Sequence, residues 1–168
     1  LKLRKVARLY TTKVTINTYT ILNIEDTSMG KLTAIEGLDG SGTATQANLL
    51  YETLKRNNYP VKKVTFPDYE SESSAPIKMY LRGDLSDRPD GVNAYAASSF
   101  YAVDRYISFK TNWEQFYNDG GIIVADRYTT SNAVHQICKL PENQWDEYLA
   151  WLYDFEFSKM SLPVPDIT

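Results

Sequence analysis

Cysteine and histidine are nearly absent from this chain: Cys138 and His135 are the sole examples among 168 residues. One cysteine excludes an internal disulfide framework, and one of each cannot assemble a zinc-ligand cluster, which points to a reducing, cytoplasmic setting. Long apolar runs are missing as well. Nothing approaches the roughly 20 residues a helix needs to cross a bilayer, so a membrane-inserted helix is not expected. A strong basic excess is the third absence. The net charge is -3, and residues 1–28 hold five basic and two acidic side chains while the remaining 140 residues hold 13 basic and 19 acidic. That acidic remainder argues against a nucleic-acid polymer as partner, so any phosphate site must be local.

With 43% hydrophobic and 13% aromatic residues, the chain can bury a core and is too apolar for disorder. Residues 1–28 lack an initiating Met, are rich in Thr and β-branched residues from Val14 to Ile24, and carry no caps, glycine turns or motif. They read as an extension outside the domain, without the apolar core and cleavage site of a secretory signal. Met29 reads like a natural start, and residues 29–168 form the domain.

The domain is organised around Lys31 to Gln46. A β-compatible run, Leu32 to Ile35, enters a glycine turn (Gly37, Gly40, Gly42), and a helical pattern starts near Thr45. In a P-loop such glycines let consecutive backbone N–H groups point into one concavity, with the positive end of a helix dipole behind them, so the loop cradles a nucleotide phosphate. The spacing from Gly37 to Gly42 fits. The next two positions depart: Thr43 stands where the phosphate-binding Lys belongs, and Ala44 where Ser or Thr usually meets magnesium. Taken alone, the loop reads equally as a tight strand-to-helix turn.

Beyond it, Thr45 to Asn58 carries Leu49, Leu50 and Leu54 at helical spacing, with Lys55 and Arg56 near the negative dipole end. Val61 to Phe66 reads as a second strand ending at Pro67, which has no N–H for a sheet ladder. Ser71 to Asp90 looks like a connecting excursion with a short helix at Ile77 to Leu81. Ala94 to Tyr117 is a long helical segment ending at a Gly120-Gly121 turn. Ile122 to Ala125 suits a central parallel strand buried on both faces, with Asp126, Arg127 and Tyr128 at its carboxyl end, where ligands bind in open α/β sheets. Trp145 to Phe157 is another aromatic helix, and Pro165 to Thr168 looks like the start of one more strand. The alternation predicts an α/β, parallel-sheet, three-layer domain.

Four motifs in order carry a family resemblance: Gly37 to Gln46, the Phe66-Pro67 pair, YAVDR at Tyr101 to Arg105, and DRYTTSNAVHQ at Asp126 to Gln136. The set, from about Met29 to the last residue, resembles thymidylate kinase. That resemblance implies a P-loop NTPase fold that moves the γ-phosphoryl of ATP onto dTMP, giving dTDP and ADP with Mg2+. By resemblance Gly37, Gly40, Ser41, Gly42, Thr43, Ala44 and Thr45 meet the ATP phosphates. Arg127 grips the acceptor phosphate, and Asp126 acts on magnesium or its water shell. Asp39 orients the acceptor near its sugar hydroxyl and phosphate. Tyr101 stands where an aromatic, commonly Phe, stacks on thymine, and Arg105 reaches the base edge with Asp104 as its acidic neighbour. Phe66 and Pro67 wall the acceptor, and Asn132 and Gln136 share a helix face with amides suited to a pyrimidine edge.

Plainer readings stand beside these: a structural ion pair of Arg127 with Asp126, an Asx turn at Asp39, and core packing for Tyr101 and Phe100. His135 stands where many members have Tyr and is not proposed as a base. Thr43 cannot replace the charge of Lys, whereas Thr45 offers a hydroxyl one residue after Ala44. The family continues past Pro-Asp into a strand, a basic lid and an adenine-binding loop that this sequence does not include. The expectation is a thymidylate kinase impaired at its donor loop, with a homodimer through the aromatic helices. The rivals are a kinase for another nucleoside or nucleotide, and a nucleotide-binding protein without catalysis.

Overall fold

The computed structural model describes residues 29–88 and 91–168; the reading of residues 1–28 as an extension lies outside the described residues. Three parallel strands form the sheet: β1 (Lys31–Ile35), β2 (Val61–Thr65) and β3 (Ile122–Asp126), in the order β1-β3-β2. The register pairs Ile35 and Thr65 with Asp126, so all three strands end level at one edge. β3 is central and buried at every position, as its unbroken apolar run requires in a sheet covered on both faces.

Side chains alternate across β3 and so define the layers. Ile122 and Val124 pack against Ala47, Leu50 and Leu54 of α1 (Thr43–Arg56), while Ile123 and Ala125 join Leu32, Ala34, Val64, Phe109 and Trp113 on the opposite face. The result is the expected three-layer α/β architecture. Leu49, expected on the buried stripe, lies on the outer side of α1 at 55% exposure.

The excursion after β2 is more ordered than its prolines suggest. Following the cis Phe66-Pro67 bond and a single 3-10 turn at Glu72–Ser74, α2 (Ala75–Arg82) carries Pro76 in its first turn, where no intrahelical N–H is needed. The long helical segment is interrupted: α3 (Ala94–Ser108) passes through a π-helical turn (Phe109–Trp113) into α4 (Glu114–Asn118). The N-cap of α3 is Asn93, whose Oδ1 accepts from Ala96 N at 2.8 Å. α5 (Thr129–Ile137) leaves the end of β3, and α6 (Trp145–Tyr153) winds into a π-helical stretch, Asp154–Lys159. Ala94, Ala133, Ile137, Tyr148 and Leu152 seal α3, α5 and α6 into a satellite core.

The tail lies beside β1. Ala34 N donates to Ile167 O at 2.9 Å, Asp166 N donates to Leu32 O at 2.8 Å, and Thr33 bridges Ile167 in parallel, as the reading of a further strand start expects. Among the described residues no helix is long and apolar enough to cross a membrane.

Candidate functional site

Two loops leave the sheet side by side at the carboxyl ends of β1 and β3. In the first, Gly40 (φ 76°) and Gly42 (φ 88°) adopt left-handed conformations that a side chain would strain, though the space above both is open. Gly37 is constrained by space instead: a Cβ there would lie 2.9 Å from Thr43 Cγ2 and closer still to Ser41 Oγ. α1 starts at Thr43 with no side-chain cap, and Gln46 N makes the bond to Gly42 O at 3.0 Å. The amides of Thr43, Ala44 and Thr45 therefore precede the helix ladder, at its positive dipole end, above an exposed Ser41 and Gly42. The loop has the form of an anion cradle, and the Thr43 side chain folds back over it without a charge.

In the second loop Arg127 is held at φ 67°, outside the conformations an L-residue favours. Its Nη1 donates to Gly37 O at 2.9 Å and to Ser131 Oγ at 3.2 Å, and its Nη2 donates to Asp39 Oδ1 at 2.8 Å. An ion pair is thus present, but with Asp39 rather than with Asp126. Asp39 reaches across the two loops and is 89% exposed. Asp126 is buried, and its Oδ1 has no hydrogen-bond partner among the described residues.

Behind Arg127 opens a cavity of about 330 Å³. Phe66 and Pro67 from the end of β2, Tyr80 and Leu81 from α2, and Tyr101 and Arg105 from α3 form its walls. Ser131, Asn132, His135 and Gln136 of α5 form its floor and rim, with Asp39 and Arg127 at the mouth. Every residue expected at the acceptor nucleotide lines this one space except Asp104. Asn132 Nδ2 donates to Ser98 O at 3.1 Å, while Asn132 Oδ1 and Gln136 Oε1 are buried and unpaired among the described residues. Buried acceptors rarely go without a donor, so this floor suits a ligand bearing an N–H group. Tyr101 meets Tyr80 edge-on at 6.5 Å, and burial pushes its hydroxyl up to about 12, keeping it protonated. Burial, with Arg127 adding to it and Asp39 opposing, lowers His135 below its usual value, so the ring is neutral at pH 7.

One expectation needs correction. Asp104 does not face the cavity; fully buried, it accepts from Asp68 N at 3.0 Å and Ser73 Oγ at 2.5 Å, anchoring the loop after Pro67. Burial raises its pKa and these two donors oppose the shift. Arg105 lines the cavity, and most of its guanidinium is paired within the fold. At 2% exposure it donates Nε and Nη2 to Glu156 at 2.7 and 2.5 Å, and its guanidinium lies 5.8 Å from the centre of the Tyr128 ring. Burial would lower the Arg105 pKa, and the Glu156 carboxylate outweighs it, leaving the value raised. Only Nη1 is not engaged by Glu156. Glu156, Tyr80 and Glu36 had no sequence signal: each sits outside the motifs, or, for Glu36, beside one as an ordinary polar residue.

A magnesium ion implied by the family resemblance would find one buried carboxylate with an unpaired oxygen, Asp126. That donor set suits an ion held mainly by phosphates and water. Among the described residues no group of three or more His, Cys, Asp or Glu could hold a metal by itself.

Comparison with known proteins gives a consistent set. The family model described as thymidylate kinase matches residues 35–164. Thymidylate kinase of Mycobacterium tuberculosis is 32% identical over 136 residues, covering 80% of this chain and 62% of that protein. Thymidylate kinase of Plasmodium falciparum is 45% identical over 62 residues, 37% of this chain and 30% of that protein. Among solved structures, thymidylate kinase from Candida albicans, described as having broad substrate specificity, superposes with a TM-score of 0.60 at 26% identity over 82% of this chain and 60% of that one. The chain therefore spans less than two thirds of the length of these relatives.

Proposed function

The chain belongs to the thymidylate kinase family, and from that membership and the cavity we propose that it binds dTMP and takes part in ATP-dependent formation of dTDP. The observation that carries the proposal is a cavity lined by Asn132 and Gln136, two buried amides each with an unpaired oxygen among the described residues, together with Arg127. Thymine offers one N–H flanked by carbonyls, so its edge donates to one of these amide oxygens and presents acceptors to an amide N–H, while the 5'-phosphate of dTMP lies toward the guanidinium. Tyr101, with Phe66 and Pro67, gives the base an apolar enclosure.

In the transfer, the bond between the γ-phosphorus and the oxygen bridging it to the β-phosphate breaks, and a bond forms to an oxygen of the dTMP phosphate. The protein's part is to hold two anions in line and stabilise the transferred charge. Amides of the glycine loop, from Gly37 through Thr45, orient the donor phosphates; Arg127 orients the acceptor, and Asp39 moves from Arg127 to the acceptor's sugar end. Bound with ATP, Mg2+ would neutralise phosphate charge, with Asp126 as its carboxylate contact. Thr43 leaves the loop without its positive charge, so turnover is impaired. The same fact favours a second reading, a binding protein that retains the pocket but not the chemistry. A cytoplasmic setting suits these substrates and the single cysteine. The partly exposed Val103, Tyr106 and Ile107 of α3 offer a face for a second copy of the chain.

The test is a nucleotide panel. By thermal shift or competition, dTMP should bind more tightly than other deoxynucleoside monophosphates; a clear preference for another acceptor would reassign the substrate. Arg127→Ala should weaken dTMP about ten- to a hundredfold, the worth of charge-assisted hydrogen bonds. Unchanged dTMP affinity in that variant would remove Arg127 from the phosphate.

A further inference from the structure

Glu36 is the one strongly shielded carboxylate at the junction of the two loops that binding and transfer leave unused. It follows β1 directly. Its Oε1 accepts from Tyr128 N at 2.9 Å, and its Oε2 accepts from Ser131 Oγ. The same Ser131 oxygen receives Arg127 Nη1, and the Arg127 amide itself donates to Ile35 O at 3.0 Å. Consecutive residues where β1 passes into the first loop, Ile35 and Glu36, thus hold consecutive amides of the second, those of Arg127 and Tyr128. Between these two clamps lies the left-handed Arg127.

We propose that Glu36 is a positioning residue for Arg127, fixing both its backbone and, through the Ser131 hydroxyl, its guanidinium for the phosphate of a bound nucleoside monophosphate; this rests on the dTMP-binding reading above. A strained backbone persists only where its surroundings over-determine it, and Glu36 supplies that constraint from the neighbouring strand. The guanidinium's ion pair is with Asp39, an 89% exposed carboxylate that an incoming phosphate can displace. Glu36 acts through the Ser131 hydroxyl, at one remove, and adds no second carboxylate directly against the guanidinium. Retaining a carboxylate here has a cost that supports a specific role: burial pushes the Glu36 carboxyl above its ordinary range, with hydrogen bonds from Ser131 and Tyr128 and the charge of Arg105 opposing. The link also makes the phosphate cradle and the acceptor clamp one unit, because Glu36 immediately precedes Gly37.

The readout is the ratio of dTMP to thymidine affinity, since thymidine fills the same cavity without a phosphate. Glu36→Ala should weaken dTMP about ten- to a hundredfold, a typical loss when the outer partner of a ligand-binding group is removed, and leave thymidine unchanged. Glu36→Gln should recover most of the ratio: its carbonyl can accept from Tyr128 N and its amide can donate to Ser131 Oγ, which still accepts from Arg127. If Glu36→Ala does not fold, Ser131→Ala decides, since it cuts the link to the guanidinium while leaving the Tyr128 amide paired. An unchanged ratio in a folded Glu36→Ala, or in Ser131→Ala where that variant decides, overturns the proposal. A parent chain that binds both ligands equally, or neither, would instead defeat the underlying dTMP reading.

Discussion

Thr43→Lys is expected to raise ATP-dependent formation of dTDP by about a hundred- to a thousandfold over the parent chain, the usual worth of one positioned transition-state donor. The expectation follows from the local structure. The Thr43 side chain already folds back over the glycine loop, with Cγ2 against the position a Gly37 Cβ would take. A lysine entering along the same path carries an ammonium over a concavity lined by the free amides of α1, and that charge strengthens most as the γ-phosphoryl separates. The exposed surroundings of Ala44 and Thr45 leave room for the longer stem. A coupled assay with dTMP and ATP checks this. No gain in rate, with ATP and dTMP both shown to bind, would favour the reading in which the pocket binds nucleotide without chemistry.

The second large effect is on stability. Glu156→Ala should destabilise the fold by about 3–5 kcal/mol, because it strands the Arg105 guanidinium in a site with 2% exposure and removes the acceptor of Thr129 Oγ1 as well. For a domain of this size the midpoint of thermal unfolding should fall by roughly 10 °C. The sign of the argument has a built-in control. Replacing the pair together, Arg105→Met with Glu156→Leu, should restore most of the loss, since a well-packed apolar pair avoids burying charge. The double variant should nevertheless bind dTMP poorly, because Arg105 Nη1 and the Tyr128 contact vanish from the cavity wall. Calorimetric unfolding of the three proteins separates these outcomes; a single Glu156→Ala variant as stable as the parent would show that the pair is not what holds α3 to the end of α6.

Much of this architecture was legible in the residues because it rests on local patterns. The unbroken apolar run of β3 announces a central strand, the glycine spacing announces a strand-loop-helix turn, and the four-residue offset of Asn132 and Gln136 places both amides on one face. What stayed hidden depends on distant pairings. Nothing near Arg105 in sequence reveals Glu156, 51 residues away, the carboxylate to which this cavity-lining side chain commits Nε and Nη2. Asp104 beside it was read with Arg105 as one unit, yet adjacent positions on a helix diverge by about 100°, and the carboxylate turns toward Ser73. Glu36 was overlooked for a similar reason: its partners, Tyr128 and Ser131, lie on the far side of the sheet's chain path and meet it only because β1 and β3 are neighbours in register. The π-helical turn after Ser108 left no composition signal in an otherwise regular helical pattern.

The most direct test of the dTMP-binding claim is an isothermal titration of dTMP into the unmodified chain, monitored alongside circular dichroism to establish that the chain is folded. Saturable binding at one site per chain, weakened about ten- to a hundredfold in Arg127→Ala, is the expected result. A folded chain that takes up no dTMP would contradict the assignment of the cavity, whatever its family.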